Sequence, residues 1–244
     1  DNIDGETATI EGYAWDRTTG TDGGTADVSG TLGGTTAFSS ANFTGTLTVT
    51  GINDAPTTSP DGTDSDSTDE DTDLTFNTAN SNLISVADVD SGSNDLTLDV
   101  SVDIGTIELG NDSNATNADG DSSTTVVGTV TEINTALDGL VYSPPANTSG
   151  TATMTVTIDD NGNAIEGSAD STDLTDTLTV TITINEVNDA PVVTADTLVL
   201  TGTDEDTTSA GDTVATIIAS GSGDPISDDD SSDPEGIAIY ATTG

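Results

Sequence analysis

Asn53-Asp54-Ala55-Pro56 returns as Asn188-Asp189-Ala190-Pro191, each time behind a stretch alternating Thr with aliphatic residues and ahead of an acidic segment. The offset is 188 − 53 = 135 residues, about the length of one all-β domain. A second motif keeps the register, since Asp69-Glu70-Asp71-Thr72 returns as Asp204-Glu205-Asp206-Thr207, again 204 − 69 = 135 positions on. Two motifs recurring at one spacing mark tandem units. The 244 residues then divide into the closing part of one unit, residues 1–52, a complete unit, residues 53–187, and the opening part of a third, residues 188–244. A window on a longer array is the expectation.

The alternation patterns between the boundaries predict short strands. Residues 7–15 and 44–50 read as strands around a long Gly/Thr/Ser loop, residues 16–42. Within the complete unit, Leu96, Leu98, Val100 and Val102 alternate with polar residues, as do Ala152, Met154, Val156 and Ile158, and Leu178, Val180, Ile182 and Ile184. This is the period-2 signature of half-buried antiparallel strands. Shorter pieces are expected at 74–76, 83–86, 104–109 and 126–130, with Thr57 to Thr68 a polar stretch. One helical turn is expected over Glu132 to Leu137, with Thr131 as its N-cap and Gly139 just past its end. Seven or so short strands in about 135 residues predict an all-β fold, a β-sandwich of immunoglobulin-like type.

Composition restricts what such a chain can do. Forty-five Asp and Glu stand against one basic residue, Arg17, for a formal charge of −44. That field repels nucleic acid and anionic membranes and favours cations. Leu, Ile, Val and Phe are about a fifth of the residues, at the lower edge for a folded chain, so the core must be thin. There is no Cys and no His, which removes disulfides, thiolate metal sites and imidazole chemistry. A large β protein without disulfides points to an extracellular, bacterial setting. No apolar run approaches the roughly 18 residues of a membrane span. Without His, Cys or Lys, only a hydrolase built on a carboxylate pair is open, and an enzyme is not expected.

In order, these residues resemble the cadherin-like tandem repeats of very large bacterial surface proteins, the adhesins and biofilm-matrix proteins. The marks are Val187-Asn188-Asp189-Ala190-Pro191, the acidic triplet followed by Thr, the Asp-x-Asp pairs, and the run Ile133-Asn134-x-Ala136-Leu137-x-Gly139-Leu140-x-Tyr142-x-Pro144. The resemblance covers the unit from Asn53 to Pro191 and both flanks. It implies Ca²⁺ held between consecutive domains by an acid of the upstream domain, the linker, and an Asp-x-Asp pair downstream. Transferred by position, the second junction would use Glu70, then Glu186, Asn188 and Asp189, then Asp228 and Asp230. The first would use Asn53, Asp54, Asp88 and Asp90, with Asp159 or Asp160 at a strand end on the same pole; Asp16 is the matching strand-end carboxylate of the first unit. Where the family has an acid two places before the linker Asn, the second boundary has Glu186 but the first has Gly51, so fewer or weaker ions are expected there.

The chemistry of the donors is compatible with that transfer. Ca²⁺ takes about six to eight hard oxygens at roughly 2.3–2.6 Å, and two carboxylates about 5 Å apart repel by roughly 3 kcal/mol at an effective dielectric near 20. Plainer readings stand beside it. Asn-Asp-Ala-Pro also makes a turn, Asp159-Asp160-Asn161-Gly162 a hairpin turn, and the triplets can be solvated acids on an edge strand. Even three Ca²⁺ at each of two junctions neutralise only about 12 of the charges, so salt adaptation competes as the origin of most of the acidity. The function implied is a Ca²⁺-stiffened extender repeat of a long extracellular protein that supports cell adhesion or matrix formation. The alternatives are a filament subunit assembling with identical chains, and a module whose loops, carrying Phe38 and Phe43, touch a surface glycan or protein.

Overall fold

The computed structural model describes residues 7–48, 51–60, 62–115, 120–163, 171–194, 197–221, 225–230 and 236–240. The fold is all-β, with two short helices among the described residues. The long strands β7 (Leu96–Val102), β11 (Gly150–Asp159) and β12 (Thr175–Asn185) form an antiparallel run, β12 pairing β11 and β11 pairing β7. Their alternation is the reason. Every aliphatic position from Leu96 to Val100, Ala152 to Ile158 and Leu178 to Ile182 is at most 1% exposed. The opposite face is a threonine ladder, Thr151↔Thr183, Thr153↔Thr181, Thr155↔Thr179 and Thr157↔Thr177. Threonine suits this face because its branched Cβ favours the pleat while its hydroxyl stays in water.

Two further strands complete that sheet in the order β4-β12-β11-β7-β9: β4 (Thr63–Asp69) and β9 (Ser123–Gly128). A second sheet has the order β5-β10-β8, from β5 (Leu74–Phe76), β8 (Thr106–Glu108) and β10 (Leu140–Ser143). One hydrophobic cluster joins the two sheets, with Phe76, Ile107, Leu140 and Tyr142 packed into the same core as Leu98, Met154 and Ile182. The core lies entirely between Phe76 and Ile184; the one other buried aliphatic side chain among the described residues is Ile226.

The helix α1 (Val130–Leu137) fits its place through its sequence. Its N-cap is Thr129, earlier than the expected Thr131, because Glu132 at N3 reaches back to the Thr129 N–H (2.9 Å) and completes a capping box. Past its end, Gly139 sits at φ 97° and donates to the Phe76 carbonyl at 3.0 Å. Here the chain passes so close to Gly110 that a Cβ on Gly110 would lie 2.0 Å from the Asp138 carbonyl oxygen. Ile133, Ala136 and Leu137 face the core.

The sequence predicts an irregular polar stretch where β4 lies, and the structure has a strand there. Its sequence, Thr-Asp-Ser-Asp-Ser-Thr-Asp, has no aliphatic residue, yet it pairs in parallel with β12 from Thr63↔Thr179 to Asp69↔Asn185. As the sheet's edge it needs no inward hydrophobic row, and carboxylates along an edge discourage pairing with another chain. Ahead of it, β3 (Thr57–Ser59) pairs with β6 (Ser85–Ala87).

The flanking segments repeat parts of this frame. A hairpin of β1 (Thr7–Trp15) and β2 (Phe38–Thr48) precedes the complete unit, β2 starting six residues before the expected strand. After it come β13 (Val192–Val193), α2 (Val214–Ile218) and β14 (Ile226–Ser227). The pairs Val192↔Ser227 and Val193↔Ile226 reproduce Thr57↔Ala87 and Thr58↔Val86. Sequence offsets are 192 − 57 = 135 on one strand and 227 − 87 = 140 on the other, so the third unit carries five additional residues between them.

Candidate metal sites at the two linkers

β12 is 11 residues long, so its ends stand about 35 Å apart, and a linker meets the unit at each end. At the first linker, Asn53 is 5% exposed. Its Nδ2 donates to Asp160 Oδ2 at 2.6 Å and to the Thr172 carbonyl at 2.8 Å. The amide is thereby oriented with Oδ1 turned the other way, and that oxygen is buried without a partner. Asp160, fully buried, also accepts from the Gly162 and Leu174 N–H groups at 2.8 and 2.9 Å. Asp160 is thus held by its own hairpin and in turn holds the linker.

The Asp88-Val89-Asp90 segment follows β6 and faces the same linker. Asp88 Oδ1 accepts from the N–H groups of Asp90 (2.7 Å) and Ser91 (3.1 Å), a local turn of the kind Asp favours. Asp90, 4% exposed, accepts the Asp54 N–H through Oδ2. The second oxygen of each, Asp88 Oδ2 and Asp90 Oδ1, is buried without a partner. Burial pushes the Asp88 carboxyl above its usual range, and the charges of Asp90 and Asp160 add to this. β6 itself is fixed by Asn134 of α1, whose side-chain amide accepts from Val86 N (2.8 Å) and donates to Val86 O (2.9 Å) as a strand would.

At the second linker the frame recurs with the same atoms. The Asp189 N–H donates to Asp230 Oδ2 at 2.5 Å, as Asp54 does to Asp90, and the Asp230 N–H donates to Asp228 Oδ1 at 3.1 Å, as Asp90 does to Asp88. An upstream acid is added here. Glu70, 5% exposed, stands in the turn after β4, where Asp71 adopts φ 59°, and its Oε1 accepts the Val187 N–H at 2.7 Å. One carboxylate oxygen each of Glu70, Asp189 and Asp230 lie within 4.8 Å of one another. Burial raises the Asp189 carboxyl above its usual range, helped by Asp230, Asp71, Glu70 and Asp229.

The structure therefore brings Asn53, Asp54, Asp88, Asp90 and Asp160 together at one end, and Glu70, Asp189, Asp228 and Asp230 at the other. The remaining expected ligands sit differently. Asp159 accepts from the Asn161 N–H at 2.7 Å, the turn role that its sequence also suggested. Asn188 is exposed and donates to the Asp189 carbonyl at 2.7 Å; Glu186 is exposed and outside the three-carboxylate cluster. Asp16 is exposed, accepts from the Thr18 N–H and hydroxyl, and is held below the usual carboxylate range by those bonds.

One strut has no counterpart in the sequence reading. Asn147, at φ 52°, donates through its backbone to Asp71 (3.2 Å) and through its side chain to Asp229 (2.6 Å), joining the unit to the next segment beside the cluster. The Pro144-Pro145-Ala146-Asn147 turn is visible in sequence, but its partners lie 76 and 82 residues away and nothing local points to them.

A cation fits the second end chemically. Oxygens bound to one Ca²⁺ at about 2.3–2.6 Å lie at most roughly 5 Å apart, the spacing of the Glu70, Asp189 and Asp230 oxygens. At the first end, three buried oxygens without donors would each cost about 1–3 kcal/mol in the absence of a positive partner, and the chain's one basic side chain, Arg17, pairs with Asp22 instead. A scan of protein-family models returns no match to this chain, and no curated protein matches it. No described helix is long and apolar enough to cross a membrane.

Proposed function

We propose that this chain is a structural extender of a long extracellular, cell-surface protein, built of immunoglobulin-like, cadherin-like sandwich repeats and stiffened by Ca²⁺ at the junctions between them. The complete repeat is residues 53–187, with the closing part of one repeat before it and the opening part of another after it. The observation that carries this reading is the recurrence of one carboxylate frame at both linkers, Asp54 N–H to Asp90 and Asp189 N–H to Asp230, the first beside buried oxygens without partners and the second beside clustered carboxylates that could hold a cation. Adhesion or matrix formation would then rest on length and stiffness, with neighbouring repeats as the immediate partners. Hard oxygen donors, without any nitrogen or sulfur ligand, select Ca²⁺ over transition metals.

Calcium titration by calorimetry, with small-angle scattering in calcium and in chelator, tests this. Saturable binding together with a stiff, extended particle only in calcium is the expected result. Absence of binding overturns it and leaves the acidity to salt adaptation.

A further inference from the structure

The chain leaves β11 through a tight turn in which Asn161 stands at φ 55° and Gly162 at φ 66°, and the Asn163 N–H donates to the Asp160 carbonyl at 3.0 Å. Two successive positive φ angles make this a type I′ turn, for which Asn-Gly is the preferred pair. No side chain can replace the glycine, because a Cβ on Gly162 would lie 2.6 Å from the Ser171 carbonyl oxygen. This is also the one Asn-Gly pair in the 244 residues, and such a pair is chemically labile: without a Cβ on the second residue, little shields the Asn side-chain carbonyl from the next backbone nitrogen. Attack of the Gly162 nitrogen on Asn161 Cγ forms a C–N bond and closes a five-membered succinimide. The side-chain NH2 leaves as ammonia, carrying the proton that the backbone nitrogen gives up. Water then opens the ring at either carbonyl, and aspartate or isoaspartate results.

Ring closure needs the two atoms aligned about 3–3.5 Å apart, and the fold engages both elsewhere. The Asn161 side chain is exposed to water but tied to the start of β7, its Oδ1 accepting the Thr97 hydroxyl at 3.1 Å and its Nδ2 donating to the Asp95 carbonyl at 3.0 Å. The Gly162 N–H donates to Asp160 Oδ1 at 2.8 Å, and a carboxylate in that place opposes loss of the proton. Asp160 in turn depends on the first linker. Its Oδ1 is met by Gly162 and Leu174, but its Oδ2 is met by Asn53 Nδ2 at 2.6 Å. Because Asp160 is fully buried, withdrawing Asn53 leaves a buried carboxylate oxygen short of a donor, which favours local opening of the turn.

We propose that Asn161 is a site of spontaneous deamidation gated by the first linker, closed while Asn53 holds Asp160 and open once the linker lets go. Neither product restores the turn. An aspartate has no N–H for the Asp95 carbonyl and adds a negative charge next to Asp160. An isoaspartate routes the main chain through the former side chain, one carbon longer, two residues past the Asp159↔Thr175 rung that closes the β11–β12 ladder. A passing release of the linker thus becomes permanent.

Incubation of the 244-residue chain at neutral pH, with Asn161 conversion followed by mass spectrometry of peptic fragments, tests the proposal. Chelator in every arm keeps the outcome independent of cation binding. Conversion in the folded chain should be at least about tenfold slower than in guanidinium, where the turn is open. Asn53→Ala should speed it about tenfold relative to the folded wild type, the effect of one lost hydrogen bond to a charged group. Asp160→Asn keeps an acceptor for Gly162 and Leu174 but not for the Asn53 amide, so it should accelerate conversion likewise and carries the test if Asn53→Ala does not fold. Circular dichroism establishes which variants are folded. Equal rates in the folded and unfolded wild type, wild-type rates in the folded variants, or an Asn161 that survives in guanidinium would each overturn the proposal.

Discussion

The two ends of the complete unit share a frame and differ in what completes it. At the first, the downstream half is in view: Asp88 and Asp90 after β6, and Asp160, which holds Asn53 by its amide. At the second, the upstream half is in view, as Glu70 closes on Asp189 and Asp230. Each end shows what the other lacks within these 244 residues. Laid over one another, they give an upstream acid, a linker Asn and Asp, a downstream Asp-x-Asp pair and a buried carboxylate that orients the linker. On the proposed reading, Asp90, Asp230 and Glu70 each hold a linker N–H and offer an oxygen to the ion, whereas Asp160 positions the linker through Asn53 alone.

The largest effect to expect is from removing calcium altogether. A site filled at about 100 times its dissociation constant adds roughly 2.7 kcal/mol, or about 10 °C of melting temperature for a unit of this size, so chelation should lower the midpoint by about 20 °C if both ends bind. A scan in calcium and in chelator reads this directly, and a drop of half that size would mean that one end alone is occupied.

Single-end variants then assign the contributions. Asp230→Asn should remove about 10 °C of the calcium-dependent rise, and Asp90→Asn a smaller amount at the other end. In chelator both should be neutral or stabilising, since each removes a charge facing other carboxylates while an amide oxygen can still accept the linker N–H. The Gly51 expectation of weaker binding at the first linker predicts the smaller loss for Asp90→Asn, and calorimetric stoichiometry of the two variants decides it.

Positioning residues should behave differently from ligands. Asp160→Asn sets an amide against the Asn53 amide, and Asn134→Ala releases the Val86 backbone; each should cost about 1–3 kcal/mol in chelator as well as in calcium. A penalty seen only with calcium would make Asp160 a ligand.

The smallest effect is on pH. Asp88 and Asp189 have carboxyls raised in the folded state, so their favourable contribution is present at low pH and is lost as pH rises through their folded values. Asp16, Asp27, Glu132, Asp176 and Asp212 are held low and begin to lose stability only below the ordinary range near pH 4. In chelator, melting temperature should therefore rise slightly from pH 7 to about pH 5. With calcium the trend should reverse, because protons compete for the same oxygens.

Much of this arrangement is legible in the chain because repetition and alternation are local signals. Leu96–Val102 and Thr7–Trp15 can be bounded from period alone, and the two Asn-Asp-Ala-Pro boundaries locate both linkers. What escapes is set by partners far away. Nothing in Thr63–Asp69 marks a strand, since an edge beside β12 takes its shape from that neighbour's carbonyls and N–H groups. Asp159 and Asp160 read alike in sequence, and burial separates them, one capping its own turn and the other reaching 107 residues back to Asn53. Thr129 prevails over Thr131 as N-cap because Glu132 stands three residues after the former.

The parallel pairing of β4 with β12 has a mechanical meaning. One strand follows the entry linker, the other leads into the exit linker, and both run the same way, so a pull on the two linkers drags them past each other along their length. Tension is then shared by all the rungs from Thr63↔Thr179 to Asp69↔Asn185 at once, whereas antiparallel terminal strands would unzip rung by rung. A carboxylate-studded strand without a single aliphatic side chain is in this geometry the clasp that bears the load.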